Sequence, residues 1–132
     1  MLDYRITSLA DLHCAVKDFD ATHLISLVDP DMSAPATPAN MRGRHLILFL
    51  HDLDVIDDGS RPGNPCLDHV SDIMDFSLKH LATDNIRAVF QCTAGRRRSA
   101  AAALLSDLMI QISRGKSLTM IILRGWQNLL NR

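Results

Sequence analysis

The sequence predicts a three-layer α/β domain with a central, largely parallel sheet flanked by helices, and three observations predict it. The runs "THLISLV", "HLILFL" and "IRAVFQ" are short and continuously apolar, as expected of strands covered on both faces rather than strands with one wet face. Segments apolar at helical spacing lie between and after them, and strand alternating with helix is the pattern of a parallel sheet. A length of 132 residues with 47% hydrophobic content suffices for one core but not for two of ordinary size, so residues 1–132 read as a single domain.

The elements follow in order. Tyr4 to Ile6 is a short extended piece. Ser8 with Asp11 three residues later forms a capping box with Asp in place of Glu, which opens a helix from about Leu9 to Phe19. Thr22 to Val28 is a buried strand, stopped by Asp29 and Pro30, and the Pro-rich "DPDMSAPATPAN" is a loop. A second buried strand, His45 to Leu50, runs into "HDLDVIDDGSRPGNP", whose acids, glycines and prolines mark another loop. Pro65 suits the first turn of a helix in which Leu67, Val70, Ile73, Met74, Leu78 and Leu81 form one apolar stripe. Ile86 to Gln91 is a third buried strand, a strongly helical segment begins near Ser99, and Leu118 to Leu130 is expected to pack as a terminal helix.

Charge and composition exclude several classes. With 14 Lys and Arg against 15 Asp and Glu, no general electrostatic argument favours nucleic acid or a membrane as partner, so any basic site must be local. The N-terminus carries acids and lacks a long apolar core, and no run approaches a membrane span, so a cytoplasmic location is expected. Cys14, Cys66 and Cys92 are odd in number and far apart, which argues for free thiols rather than a disulfide framework or a zinc site. The six histidines show no metal-ligand spacing.

One stretch carries chemistry. "FQCTAGRRRS", Phe90 to Ser99, joins the third strand to the alanine-rich helix, a junction that aims backbone N–H groups and the positive end of a helix dipole at one spot. Gly95 can take a backbone conformation closed to most residues, and Arg98 can fold back to grip phosphate oxygens with two parallel N–H groups. The same surroundings lower a thiol pKa, so Cys92 becomes a nucleophile next to an anion site. Ser99 can donate to the sulfur and ease its departure from a phosphocysteine. The alternative is a buried structural cysteine beside arginines on a solvated face.

The spacing C-x5-R-S from Cys92 through Arg98 to Ser99 resembles the signature of the cysteine-dependent protein tyrosine phosphatase superfamily. The likeness is closest to a compact bacterial branch related to dual-specificity phosphatases. It covers roughly Thr22 to Leu108, through "ISLVDPD", "RHLILFLHDLD", "GNPCLDHV" and "CTAGRRRSAAAALL". The resemblance implies a phosphatase-like fold and a phosphomonoester hydrolase acting through phosphocysteine, with no metal or other cofactor. Cys92 attacks, while Thr93, Ala94, Gly95, Arg96, Arg97 and Arg98 surround the phosphate. An aspartate before the cysteine protonates the leaving oxygen; Asp52 is favoured, with Asp54, Asp57 and Asp58 as alternatives. The implied substrate is a phosphorylated protein or a small phosphomonoester, with phosphotyrosine first.

Two departures from the family pattern stand out. Gln91 replaces the usual histidine before the cysteine, which predicts a less acidic thiol and slower turnover. Arg96 and Arg97 are also unusual, and either favour a polyanionic substrate or are simply solvated. Two further readings remain beside the phosphatase: a rhodanese-like sulfurtransferase, whose arginine stands one position earlier, where Arg97 lies, and a phosphate-binding protein with weak turnover.

Overall fold

The computed structural model describes residues 2–52 and 64–131. Its strands are β1 (Asp3–Ser8), β2 (His23–Val28), β3 (His45–Phe49) and β4 (Arg87–Cys92). Its helices are α1 (Leu12–Phe19), α2 (Leu67–Phe76, continuing into a π-helical turn at Ser77–Leu81), α3 (Arg97–Ser113) and α4 (Leu118–Leu130). The sheet is four-stranded and all-parallel in the order β1-β4-β2-β3. The fold is therefore α/β, with helices on both sheet faces.

Alternation along the strands divides the core in two. On one face Ile25, Leu27, Leu48, Ala88, Phe90 and Cys92 meet Ile73 and Leu81 of the α2 region and Ala102, Ala103 and Ile110 of α3. On the other, Leu24 and Val89 meet Ala21, Met41 and the inner side of α1 at Leu12, Val16 and Phe19. The helix after β1 and the helix after β4 thus leave these neighbouring strands toward opposite faces. In open α/β sheets, ligands bind at the carboxyl ends of such a strand pair.

The structure refines several expectations. The extended piece at Tyr4 to Ile6 is part of an edge strand. Ser8 Oγ does accept the Asp11 N–H at 3.2 Å, but in a turn that precedes α1, which starts at Leu12 rather than Leu9. The central strands β2 and β4 are buried, whereas β3 lies at the other edge and leaves Phe49 exposed. Of the stripe expected along α2, Ile73 and Leu81 are buried while Leu67, Val70 and Leu78 are exposed. Ser77 takes the buried place between Ile73 and Leu81, its hydroxyl donating to Ile73 O at 2.6 Å and hydrogen-bonded to Ser106 Oγ at 2.8 Å. The helix after β4 begins at Arg97, two residues before Ser99. Helix α4 forms as expected, yet buries none of its residues, because both sheet faces are already covered and it can only lean on the outer side of α3. Among the described residues no helix is long and apolar enough to cross a membrane.

Candidate active site

β4 delivers Cys92 to the carboxyl end of the sheet, where Thr93 to Arg96 turn the chain into α3. The turn closes against β1. Gly95 has φ +67°, and a Cβ built on it would lie 2.5 Å from Ser8 N and 2.7 Å from Thr7 C, so only glycine fits this approach. The Leu9 N–H donates to Thr93 O at 3.2 Å and fixes the other side of the turn.

Within this loop the Cys92 thiol is buried, with Sγ 3.1 Å from Ser99 Oγ. Its pKa has opposed causes: burial pushes it up, while hydrogen bonds from the Ser99 hydroxyl and from the Ser99, Arg96 and Gly95 amides pull it down. The hydrogen bonds win, and the thiol is more acidic than an ordinary cysteine. Cys92 is therefore a core residue and a polarised thiol at once. Its sulfur lies on the core face while backbone N–H groups at the start of α3 converge on it.

Arg98 turns inward from the first turn of α3, its side chain only 7% exposed. Nη1 donates to Asp29 Oδ1 at 2.7 Å and to Leu50 O at 3.0 Å. Asp29 and Leu50 directly follow β2 and β3, so the guanidinium is gripped by the ends of two adjacent strands. Asp29 Oδ2 also accepts from Thr93 Oγ1 at 3.1 Å. Arg98 Nε is buried and has no hydrogen-bond partner among the described residues. Next to it, Arg97 points outward and places Nη2 3.4 Å from Asp52 Oδ2. Arg97 is thus neither a plain solvated cation nor aimed into the loop, while Arg96 is exposed. Ala94 and Thr93 are exposed along the loop.

No protein-family model, curated protein or solved structure matches the chain. The site therefore has to be read from its own geometry.

A cavity of about 270 Å³ begins at Arg97 and Arg98 and runs between α2 and α3, with Asp52 and Leu50 on one wall and Val70 and Leu105 on others. Cys92 does not line it. The structure brings Cys92, Gly95 and Ser99 together, links Arg98 to the same loop through Asp29 and Thr93, and ties Asp52 to the same end of α3 through Arg97. Asp54, Asp57 and Asp58 lie outside the described residues. Gln91 is buried on the sheet face opposite Cys92, in register with Thr7 and Ser26, so any effect on the thiol passes through the backbone. Its Oε1 has no partner among the described residues. No group of three or more His, Cys, Asp or Glu side chains able to hold a metal ion occurs among the described residues.

The sequence reading missed Asp29, which it used only as the stop signal of a strand. The available signal was positional. A carboxylate directly after a fully buried strand stands at the carboxyl edge of the sheet, where the site must be.

Proposed function

We propose that this chain hydrolyses phosphomonoesters through a phosphocysteine intermediate, as a protein tyrosine or dual-specificity phosphatase does. The observation that carries the reading is one loop holding both a polarised thiol and a buried arginine with an unpartnered N–H. The Cys92 sulfur accepts from the Gly95, Arg96 and Ser99 amides, and Arg98 Nε, six residues on, has no partner among the described residues. The Cys92 thiolate attacks phosphorus, the S–P bond forms as the P–O bond to the leaving group breaks, and Asp52 gives that oxygen its proton. Water then attacks phosphorus as it gives a proton to the Asp52 carboxylate. The thiolate leaves with the Ser99 hydroxyl hydrogen-bonded to it, and inorganic phosphate is released. Loop amides and Arg98 hold the non-bridging oxygens throughout. The substrate is a phosphorylated protein or a small phosphomonoester, and the place of action is the cytoplasm.

The resemblance of Cys92 to Ser99 to the phosphatase signature supports this reading, as does the outward course of Arg97. A sulfurtransferase would need Arg97 in the loop, yet it lies against Asp52. A second reading, phosphate binding with weak turnover, is favoured by that same ion pair, which engages the proposed acid, and by Gln91. Phosphate release from p-nitrophenyl phosphate and from phosphotyrosine peptides tests the proposal, with Cys92→Ser as the comparison. Release by the wild type and none by Cys92→Ser is expected, and equal release by the two proteins overturns it. Oxyanion binding without turnover selects the second reading.

A further inference from the structure

We propose that Asp29 is the positioning residue of this site: its carboxylate sets which edge of Arg98 faces an anion and ties the two ends of the loop together. The inference rests on the phosphate reading above. A guanidinium offers oxyanions parallel N–H pairs, and the edge it presents depends on which nitrogens are already engaged. Arg98 Nη1 carries two N–H groups, and the acceptors for both are in place, Asp29 Oδ1 at 2.7 Å and Leu50 O at 3.0 Å. The fork left for a phosphate is Nε with Nη2. Nε is buried and has no partner among the described residues, which marks this edge as the one an anion completes. The second carboxylate oxygen accepts from Thr93 Oγ1 at 3.1 Å, the side chain immediately after the nucleophile. A single carboxylate thus fixes the first and the last side chains of the loop relative to each other, and with them the width of the hollow between. Asp52 does not share this task, because it faces Arg97.

Positioning and simple charge make opposite predictions for the amide variant. Asp29→Asn removes a negative charge beside an anion site, which by electrostatics alone strengthens phosphate binding. It also leaves one oxygen to do the work of two, and frees Arg98 to turn, which weakens binding. The readout is protection of Cys92 from iodoacetamide by inorganic phosphate or vanadate. In Asp29→Asn the concentration for half-protection is expected to rise about tenfold or more. The unprotected alkylation rate should stay within about twofold, because the sulfur's donors, Gly95, Arg96 and Ser99, are untouched. Asp29→Glu, which keeps the carboxylate, should recover part of the loss. Binding in Asp29→Asn as tight as in the wild type, or tighter, overturns the proposal. If Asp29→Asn does not fold, Thr93→Val decides: removing one of the two ties should weaken protection about threefold, and unchanged protection overturns it. A wild type that neither anion protects removes the phosphate reading itself, an outcome distinct from a protected wild type whose variants are unaffected.

Discussion

Gly95 is where the backbone decides whether a site exists, and replacing it with alanine separates two effects that usually arrive together. Gly95 and Gly115 both have left-handed backbones, with φ +67° and +78°. Alanine at either position brings the same torsional strain, about 1–2 kcal/mol, and the same partial offset from a stiffer unfolded chain, about 0.4–1 kcal/mol. They differ in surroundings: a Cβ at Gly115 meets nothing within 4 Å, whereas at Gly95 it meets Ser8 N at 2.5 Å, Thr7 C at 2.7 Å and Thr7 O at 2.9 Å. All three are backbone atoms of β1, which is hydrogen-bonded to β4 along its length and cannot give way cheaply. Ordinary contact would require the loop to retreat by about 1 Å. Gly95→Ala should therefore cost about 1–3 kcal/mol more than Gly115→Ala, the usual range for overpacking. Displacing the loop amides proposed to hold the phosphate by that distance should also lower turnover about a hundredfold. Urea unfolding of the two variants measures the first quantity and initial rates on p-nitrophenyl phosphate the second. Equal destabilisation by the two substitutions would refute the close approach and with it the reason for glycine at this position.

Two further predictions concern titration. Because hydrogen bonds outweigh burial at Cys92, its alkylation by iodoacetamide should reach half-maximal rate below the range of an ordinary thiol. Ser99→Ala should move that midpoint upward and, with one bond to a charged group lost, lower turnover roughly 10- to 100-fold; an unmoved midpoint would show that the serine does not act on the sulfur. His23 is the second case. Its pKa is lowered to about 4, first by burial and then by the nearby charges of Arg44 and His80. As the pH falls below about 6.5 the unfolded imidazole takes up a proton that the folded one refuses, so stability rises with pH across this window. The loss between pH about 6.5 and 4 amounts to at most about 3 kcal/mol. His23→Gln should flatten that part of the stability profile measured by urea unfolding, and a wild-type profile already flat there would sink the argument.

The central strands were legible because β2 and β4 are covered on both faces, and such strands need continuous apolar residues. The edges were harder for the same reason. "DYRITS" at β1 buries only Thr7, so hydrophobicity carries little of its strand signal, although it pairs with β4 from end to end. In α2 the apolar stripe pointed to the helix but misjudged its inward row. That row runs through Ser77, whose hydroxyl is satisfied by Ile73 O and Ser106 Oγ, and a hydrophobic pattern cannot register a buried serine. At α4 the pattern announced a burial that does not occur: amphipathic spacing states what a helix could cover, while the supply of uncovered surface is set by the rest of the fold.

At the site the division runs between local and distant partners. Cys92, Gly95, Arg98 and Ser99 lie within eight residues, so their spacing alone prescribes the turn, the amides and the hydroxyl near the sulfur. Asp29 stands 69 residues from Arg98 and the Leu50 carbonyl 48, and no spacing encodes a pair brought together by strand order. The three arginines show how the two kinds of information combine. Consecutive residues on a helix differ by about 100° in direction, so Arg97 and Arg98 at the start of α3 must diverge. The sequence could state that much. It could not state that carboxylates follow β2 and β3 at the positions those two directions reach, with Asp29 receiving the inward arginine and Asp52 the outward one. The inward pair is part-buried and bonded to the loop at both ends, while the outward pair sits at the rim of the cavity beside α2. A run that looks like one basic patch is therefore split by helix geometry into a proposed anion ligand and a tether for the proposed acid, each fixed by a carboxylate at a strand's end.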